Sequence, residues 1–324
     1  MKDNLNSETG PTVYQIVSPA LNRNDLTIRE IADAKNIQGK SPFCYDTRPL
    51  HSQVTNSLMQ PAIKMALRVA RQGSDFLKAH FERQELAEKD LADLQNQLDR
   101  VEQSIYDSFA EQLQKSYKDH VIAPLGESDA KGEARSWHIF PVLGRDNFLR
   151  GIPEFALALL QKKDNRAENL LLVNPVSGEE YAASRGHGAS LNSRRVRIGA
   201  LRHPDQAAVV TNLLDQARGS EEPLLWGEIA STLAQQTGAV RTSSCMALDI
   251  ARVAAGHLDA AVIFRPQAAD LAIALIIANE SGALTGDFSG NPSSDQARQL
   301  VVANPKLFKE VLKILHPFRG RLPR

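Results

Sequence analysis

The chain has 324 residues, of which 42% are hydrophobic and 23% charged, as expected for a globular protein that buries a substantial core. Its 38 basic residues balance its 38 acidic ones, so no global field attracts nucleic acid or an anionic membrane. The apolar run at 271–278 is too short to cross a bilayer, and the start lacks the pattern of a signal peptide. The two cysteines, Cys44 and Cys245, lack metal-ligand spacing, which predicts free thiols and a cytoplasmic location.

Residues 1–55 differ from the rest of the chain, since they are polar and show no sustained apolar period. A short helix is predicted where Thr27 and Glu30 have the spacing of a capping box. We interpret this segment as a partly ordered N-terminal extension. The folded domain is predicted to cover residues 56–324.

The first half of the domain, residues 56–198, has the texture of an α+β unit. Apolar residues recur at helical spacing from Pro61 onward, where proline suits a first turn, and again over 86–117. Short apolar runs bounded by turn residues then predict strands of a mixed sheet. These runs are 136–142, 155–160, 169–174 and 180–184.

The second half of the domain, residues 199–324, alternates helices with strands, which is typical of an α/β arrangement. Buried strands are predicted at 260–264 and 299–303. Amphipathic or strongly apolar segments between them predict helices. These helices cover 204–218, 243–255, 269–280 and 305–315.

Several motifs follow one another in an order that resembles the inositol monophosphatase family. Residues 241–259 are similar to its Arg-x-x-Gly-Ser-Ala-Ala-Leu-Asp-x-x-x-Val-Ala-x-Gly-x-x-Asp segment. Residues 181–192 and 280–290 resemble two of its glycine-rich turns, and 303–305 resembles the start of its last helix. Each motif alone is weakly specific, but their shared order over about residues 59–317 carries the resemblance.

The resemblance implies a fold of alternating helix and sheet layers, an αβαβα sandwich, and a homodimer. It also implies hydrolysis of phosphate monoesters with Mg²⁺, a hard cation that takes carboxylate, phosphate and water oxygens as ligands. Two or three such metals activate a water and neutralise charge on the phosphate. The chemistry of the family therefore depends on a cluster of acidic side chains.

The central acidic motif of the family, Asp-Pro-x-Asp-Gly-Thr-x-Asn-Phe, has lost its carboxylates in this chain. It corresponds to residues 140–148, where proline, glycine, asparagine and phenylalanine keep their register. Phe140 and Leu143 replace the two aspartates, Gly144 is kept, and Arg145 replaces the threonine. Apolar side chains cannot coordinate magnesium, so the resemblance implies a vestigial site.

The other acidic positions of the family are also altered. Its Glu-Glu pair corresponds to Leu125 and Gly126, with Glu127 one residue further along. Its Trp-Asp pair falls at Ala268 and Ala269, with Asp270 one residue late, and one residue on a helix is a rotation of about 100°. We therefore expect the Asp270 side chain to point away from the site, as an ordinary first-turn acid. No residue is predicted to be catalytic or to bind metal.

Arg145 is open to two interpretations. A guanidinium group in a former phosphate pocket can hold a phosphate or carboxylate ligand without a metal. Alternatively, Arg145 pairs with Asp146 or Glu127 and plugs the cavity, which is the interpretation we favour. Asp99, the nearest match to a further acidic segment of the family, is expected on a solvated helix face.

The leading hypothesis is a catalytically inactive relative that acts by binding a protein, a ribonucleoprotein or a small anionic ligand, without reading DNA sequence and without a cofactor. The N-terminal extension and a basic C-terminal tail are its candidate contact surfaces, and the tail could touch RNA phosphates. The tail contains Lys313, His316, Arg319, Arg321 and Arg324. The alternative is a Mg²⁺-dependent phosphatase for inositol or sugar phosphates, with a weak metal site built from Glu127, Asp146 and Asp270.

Overall fold

The computed structural model describes residues 60–84, 90–127 and 135–323. The predicted N-terminal extension, with its short helix and Cys44, lies outside the described residues. The other cysteine, Cys245, is a buried free thiol. Among the described residues, no helix is both long enough and apolar enough to span a membrane.

In the described part of the chain, seven strands form one sheet in which each strand lies beside its neighbour in sequence. They are β1 (Val121–Ile122), β2 (Ser136–Leu143), β3 (Ala156–Lys163), β4 (Arg166–Asn174), β5 (Glu179–Ser184), β6 (Gly188–Leu191) and β7 (Arg194–Val196). β1 runs parallel to β2, and every later pair is antiparallel. This order makes β7 an open edge of the sheet.

A second sheet of five described strands has the order β11-β12-β10-β8-β9. Its strands are β8 (Ala208–Thr211), β9 (Ala239–Arg241), β10 (Ala260–Phe264), β11 (Leu284–Gly286) and β12 (Gln299–Ala303). β10 is parallel to β8 and antiparallel to β12. All five residues of β10 are buried, so this sheet needs a cover on both faces.

Helices cover the two sheets. They are α1 (Pro61–Glu82), α2 (Leu91–Ser116), α3 (Arg145–Leu149), α4 (Pro223–Gln236), α5 (Met246–Ala254), α6 (Ala268–Ser281) and α7 (Pro305–Leu315). Short 3-10 turns cover Pro204–Gln206, Asp215–Ala217 and His316–Arg321. α7 begins where it does because Asn304 caps it: the Asn304 side chain accepts the N–H groups of Lys306 and Leu307.

The buried side chains group into three cores that define the layers. α1 and α2 pack on one face of the seven-stranded sheet, around Trp137 and Leu171. α5 and α6 fill the space between the two sheets, with Ala158 on one side and Ile263 on the other. α4 and α7 cover the outer face of the five-stranded sheet. The layers therefore follow the predicted αβαβα order.

Several predicted elements agree with the structure. The strands at 260–264 and 299–303 and the helix at 305–315 have the predicted bounds. The predicted helices at 243–255 and 269–280 differ from α5 and α6 by one to three residues at their ends. These segments have strong apolar patterns and clear start signals, which explains the agreement.

The predicted helix at 204–218 is wrong. That segment contains a 3-10 turn, the strand β8 and a second 3-10 turn. The β-branched residues of β8 fit a pleated strand, and β8 pairs with β10 on one side and β9 on the other. The Asp259 carboxylate also accepts the Ala208 N–H at 2.8 Å. Pairing with distant strands therefore overrides the local helical pattern.

Candidate functional site

The positions that match the acidic motif lie at the C-terminal end of β2. Phe140 pairs with Ala158 of β3 and Leu143 pairs with Ala156, so three steps along β2 match two along β3. The extra residue forms a β-bulge next to Pro141, which has no N–H to give to the ladder. In a regular strand, residues three apart point to opposite faces. The bulge returns Phe140 and Leu143 to the same face.

Both side chains point into the core between the two sheets. Phe140 is 4% exposed and Leu143 is 9% exposed. They belong to the same buried cluster as Cys245 and Ala247 at the start of α5 and Leu271 of α6. Apolar groups therefore occupy the positions where the acidic motif would present its carboxylates.

Gly144 connects β2 to α3 in a conformation that favours glycine, with φ at 82°. A Cβ atom added there would lie 3.0 Å from the Cβ of Cys245 and 3.0 Å from the carbonyl oxygen of Glu154. The Cys245 thiol donates to the Leu143 carbonyl at 3.5 Å, and burial raises the pKa of this thiol. Cys245 is thus a packing group, because a nucleophilic cysteine needs a lowered pKa.

Asn147 fixes the turn after β2 against two other loops. Its Nδ2 donates to the carbonyl of Glu154 at 2.7 Å and to the carbonyl of Ser243 at 2.6 Å. Asn147 is itself buried in α3. Two of the motif residues that are kept here, Gly144 and Asn147, therefore have structural roles that need no metal.

The turn that matches the Glu-Glu pair follows β1. Leu125 is partly exposed, Gly126 has φ at 79° with open space around it, and the Glu127 side chain is exposed. Glu127 contributes its backbone, since its carbonyl lies 2.9 Å from Nδ1 of the buried His138. A carbonyl only accepts, so Nδ1 is the donor. The one carboxylate of this turn faces solvent.

Asp270 differs from the expectation that its side chain points away from the site. It lies in the first turn of α6, partly buried, with its carboxylate beside the Ala247 N–H and near Asp249. The cause is the close packing of α5 against α6, which brings the start of α6 to the start of α5. Burial is the main factor that raises the pKa of Asp270 to about 6, and the Asp249 charge adds to it.

Asp249 is a buried carboxylate that the sequence reasoning did not select. It is 5% exposed, and it accepts a hydrogen bond from Ser243 Oγ at 2.5 Å. Burial raises the pKa of Asp249 to about 6, although Ser243 and Arg252 act in the opposite direction. Arg252 also pairs with Glu154 at 3.1 Å. The available signal was a carboxylate flanked by apolar residues in a buried helix.

Arg145 is held by two carboxylates of α2. Its Nη2 lies 2.6 Å from Oδ1 of Asp99, and its Nη1 pairs with the nearly buried Glu102. The prediction that Arg145 pairs with Asp146 or Glu127 is therefore wrong. Asp99, which was expected only on a solvated helix face, is one of its partners. The partners come from α2 because its acidic residues at this level face the turn after β2. Two ion pairs within the chain therefore engage the guanidinium group.

The magnesium ions implied by the resemblance do not fit the residues present. Within the ranges that the structure describes, no group of three or more His, Cys, Asp or Glu side chains could hold a metal ion. Glu127, Asp146 and Asp270 therefore do not form such a group. Asp249 and Asp270 are a pair of neighbouring carboxylates beside apolar side chains, whereas clustered divalent cations need several oxygen ligands each.

Comparison with known proteins decides the family. The sequence model of the inositol monophosphatase family matches residues 58–317. The chain belongs to the inositol monophosphatase family. A Pseudomonas aeruginosa protein named Nus factor SuhB is 32% identical over 269 residues, which cover 80% of this chain and 97% of that protein.

Solved structures show the inositol monophosphatase fold in this chain. An IMPase of Thermotoga maritima superposes with a TM-score of 0.67 at 21% identity, covering 81% of this chain and 99% of that one. The extragenic suppressor protein suhB of Bartonella henselae gives a TM-score of 0.67 at 19% identity, covering 79% and 98%. This member of the inositol monophosphatase family therefore keeps the layers of the family fold.

Proposed function

We propose that this chain is a catalytically inactive member of the inositol monophosphatase family that acts by binding a protein or ribonucleoprotein partner. The burial of Phe140 and Leu143 in the core between the sheets carries the proposal. Metal-dependent hydrolysis needs carboxylates to gather the cations that activate water. Apolar groups at these positions cannot take that role.

The similarity to a protein named Nus factor SuhB supports a binding role. The ion pairs of Arg145 with Asp99 and Glu102 favour a macromolecular partner over a small anion, because the guanidinium group is already engaged. We further propose that the chain forms a homodimer and works in the cytoplasm. These two proposals follow from the family resemblance and from the expectation that the two cysteines are free thiols.

The catalytic half of the proposal is tested by hydrolysis of inositol monophosphate by the full chain, with Mg²⁺ and with chelator. An active phosphatase of the family serves as the positive control under identical conditions. We expect no Mg²⁺-dependent release of phosphate. Turnover that requires Mg²⁺ and disappears in Asp270→Asn would refute the proposal and support a rebuilt metal site.

Metal binding gives an independent test, because a ligand that binds only the folded state raises the melting temperature. We expect no rise with Mg²⁺ beyond the rise seen with an equal ionic strength of sodium chloride. Light scattering on the same protein, as it elutes from a size-exclusion column, measures the oligomeric state. A monomer at micromolar concentration would contradict the proposed homodimer.

A further inference from the structure

Three arginines lie together at the open edge of the seven-stranded sheet. Arg194 and Arg195 are in β7, and Arg197 follows it directly. All three are exposed, and none forms an ion pair with any residue that the structure describes, whereas the arginines at the vestigial site are paired. Three uncompensated positive charges therefore stand on one short segment of a chain with net charge +0.

Arg195 ends a row of residues that crosses the sheet. Cross-strand pairs join Leu171 to Ala182, Ala182 to Ser190, and Ser190 to Arg195. Residues paired in this way share a face. Leu171 and Ala182 are buried beneath the helix layer, but Ser190 is partly exposed. The face therefore becomes polar where the helices end. Arg197 lies on the same face as Arg195, because residues two apart along a strand point to the same side.

A shallow groove runs beside Arg195 on this face. His187, Ser190 and Ser193 line it together with Gly188. The guanidinium group lies over Gly188, since a Cβ atom there would be 3.2 Å from Nη2 of Arg195. None of the described residues that line the groove is acidic. The described lining thus offers cationic and hydroxyl donors, and the nearby Glu280 carboxylate accepts the N–H groups of Gly186 and Gly188 at 2.8 Å.

The composition of this surface favours a nucleic-acid backbone over a protein partner. Protein interfaces are anchored by buried aromatic and aliphatic side chains. The large hydrophobic side chains that the described structure exposes all lie outside residues 184–203. Arginine forks match phosphate oxygens, and side chains two residues apart on a strand stand roughly 6.6 Å from each other. That spacing is comparable with the spacing of successive phosphates along a single strand.

We propose that Arg194, Arg195 and Arg197 form a binding site for the phosphate backbone of single-stranded RNA along this sheet edge, with Arg195 and Arg197 on one face and Arg194 on the other. The proposal rests on the proposed function, for which it names the class of partner. The hydroxyl groups of Ser190 and Ser193 stand beside the guanidinium groups, where they can contact ribose 2′-hydroxyls. No Phe, Tyr or Trp lines the described groove, so binding depends on the backbone and little on base sequence.

The basic C-terminal tail competes less well for this role because two of its charges are compensated. Lys313 pairs with Glu310 at 2.8 Å, and Arg321 pairs with Glu228 at 2.8 Å. Arg324 lies outside the described residues. Counterions are released most effectively from phosphates by cations that have no partner in the free protein. The arginines of the β7 segment meet that condition, whereas Lys313 and Arg321 of the tail do not.

The test is fluorescence anisotropy of the full chain with a labelled uridylate RNA of about 20 nucleotides, long enough to span the surface. Binding is measured over a series of salt concentrations. The test variant combines Arg194→Gln, Arg195→Gln and Arg197→Gln. A control variant removes the same charge from exposed cations elsewhere, namely Arg218, Arg265 and Lys306, each changed to Gln.

We expect the test variant to bind RNA about tenfold more weakly or worse near physiological salt. The slope of log K against log salt concentration should fall by about 2, because each lost contact removes about 0.7 for a single strand. The control variant should keep wild-type binding. A variant with lysine at all three positions should keep most of the slope, since the charge remains.

Several results would overturn the proposal. They are a wild-type chain that does not bind the RNA, a glutamine variant that binds it as well as wild type, and a control variant that loses as much. Equal affinity for the matching DNA oligonucleotide would refute the choice of RNA. Displacement of the RNA by polyglutamate at equal charge concentration would indicate an acidic protein instead. Unchanged melting temperature and light scattering establish that each variant is folded.

Failure of this surface and failure of the proposed function have different signatures. Mg²⁺-dependent hydrolysis with intact RNA binding would refute the inactive assignment and leave the arginine surface standing. If the test variant and the control variant lose RNA binding equally, and no variant hydrolyses the phosphate ester, the arginine surface is refuted and the inactive assignment stands. The two assays use the same purified chain, so the outcomes are directly comparable.

Discussion

Arg145 donates from Nη2 to Oδ1 of Asp99 at 2.6 Å and so ties the turn after β2 to the middle of α2. Glu102, one turn further along α2, pairs with Nη1 of the same guanidinium group. The Glu102 side chain is only 10% exposed, so its charge depends on Arg145 for compensation. The place of the family's threonine is thus taken by the centre of an ion-pair network.

Replacing Arg145 by alanine should lower the free energy of unfolding by about 2 kcal/mol, because the carboxylate of Glu102 is left without its counter-charge. The exposed pair with Asp99 should contribute little. Urea denaturation at pH 7 measures the change. The double variant with Glu102→Gln should recover most of the loss, since no uncompensated charge remains. An Arg145→Ala chain as stable as wild type would contradict the network.

A substitution at Phe140 tests whether its side chain supports the core between the two sheets. Changing Phe140 to alanine should cost about 3 to 4 kcal/mol, because it leaves a cavity between the sheets. Phe76, which is 42% exposed, is the matched control, and Phe76→Ala should cost less than about 1 kcal/mol. Urea denaturation of both variants provides the comparison. Equal, small losses would show that Phe140 does not support the core.

The layers could be predicted from the sequence. The strand at 260–264 and the helix at 305–315 have apolar patterns that specify their class and bounds. The register of the motif at residues 140–148 rests on the proline, glycine and asparagine that flank the replaced positions. The helix α4 was not predicted, although the sequence contains a signal for it, because Pro223 stands in its first turn.

The ion pairs of Arg145, the strands β6 and β7 and the bulge at Pro141 could not be predicted, because they depend on contacts between residues distant in sequence. Glu102 pairs with Arg145 across more than forty residues, and neither neighbourhood indicates the other. β6 and β7 are only four and three residues long, so they carry almost no apolar period. They form because β5 provides an edge to pair with. The bulge at Pro141 likewise becomes visible only against β3.

Gly144 and Gly126 allow steric contact to be separated from backbone conformation. Both have positive φ, but a Cβ atom at Gly126 meets open space, whereas at Gly144 it meets Cys245 and Glu154. Gly126→Ala should therefore cost about 1 kcal/mol, and Gly144→Ala about 2 to 3 kcal/mol. Thermal and urea denaturation of the two variants test the difference. Equal costs would mean that the packing of Gly144 against Cys245 is looser than described.

Asp270 makes the stability of the chain depend on pH in a defined direction. Its folded pKa of about 6 lies above the ordinary value, so the folded state holds the proton more tightly than the unfolded state. Between pH 4 and pH 6, approximately, the folded state binds more protons, and stability falls as pH rises through this window. Above it, the buried charge remains a constant penalty.

Asp270→Asn removes that charge while its amide oxygen still accepts the Ala247 N–H. The variant should be more stable than wild type by about 2 kcal/mol at pH 7.5, with the difference shrinking toward zero near pH 4. Urea denaturation at several pH values measures this, with the exposed Asp295→Asn as a control that should show no such trend. A gain that is the same at every pH would show that packing, and not the charge of Asp270, is responsible. A loss of stability at pH 7.5 would mean that the carboxylate is used in its charged form, as a metal ligand would be.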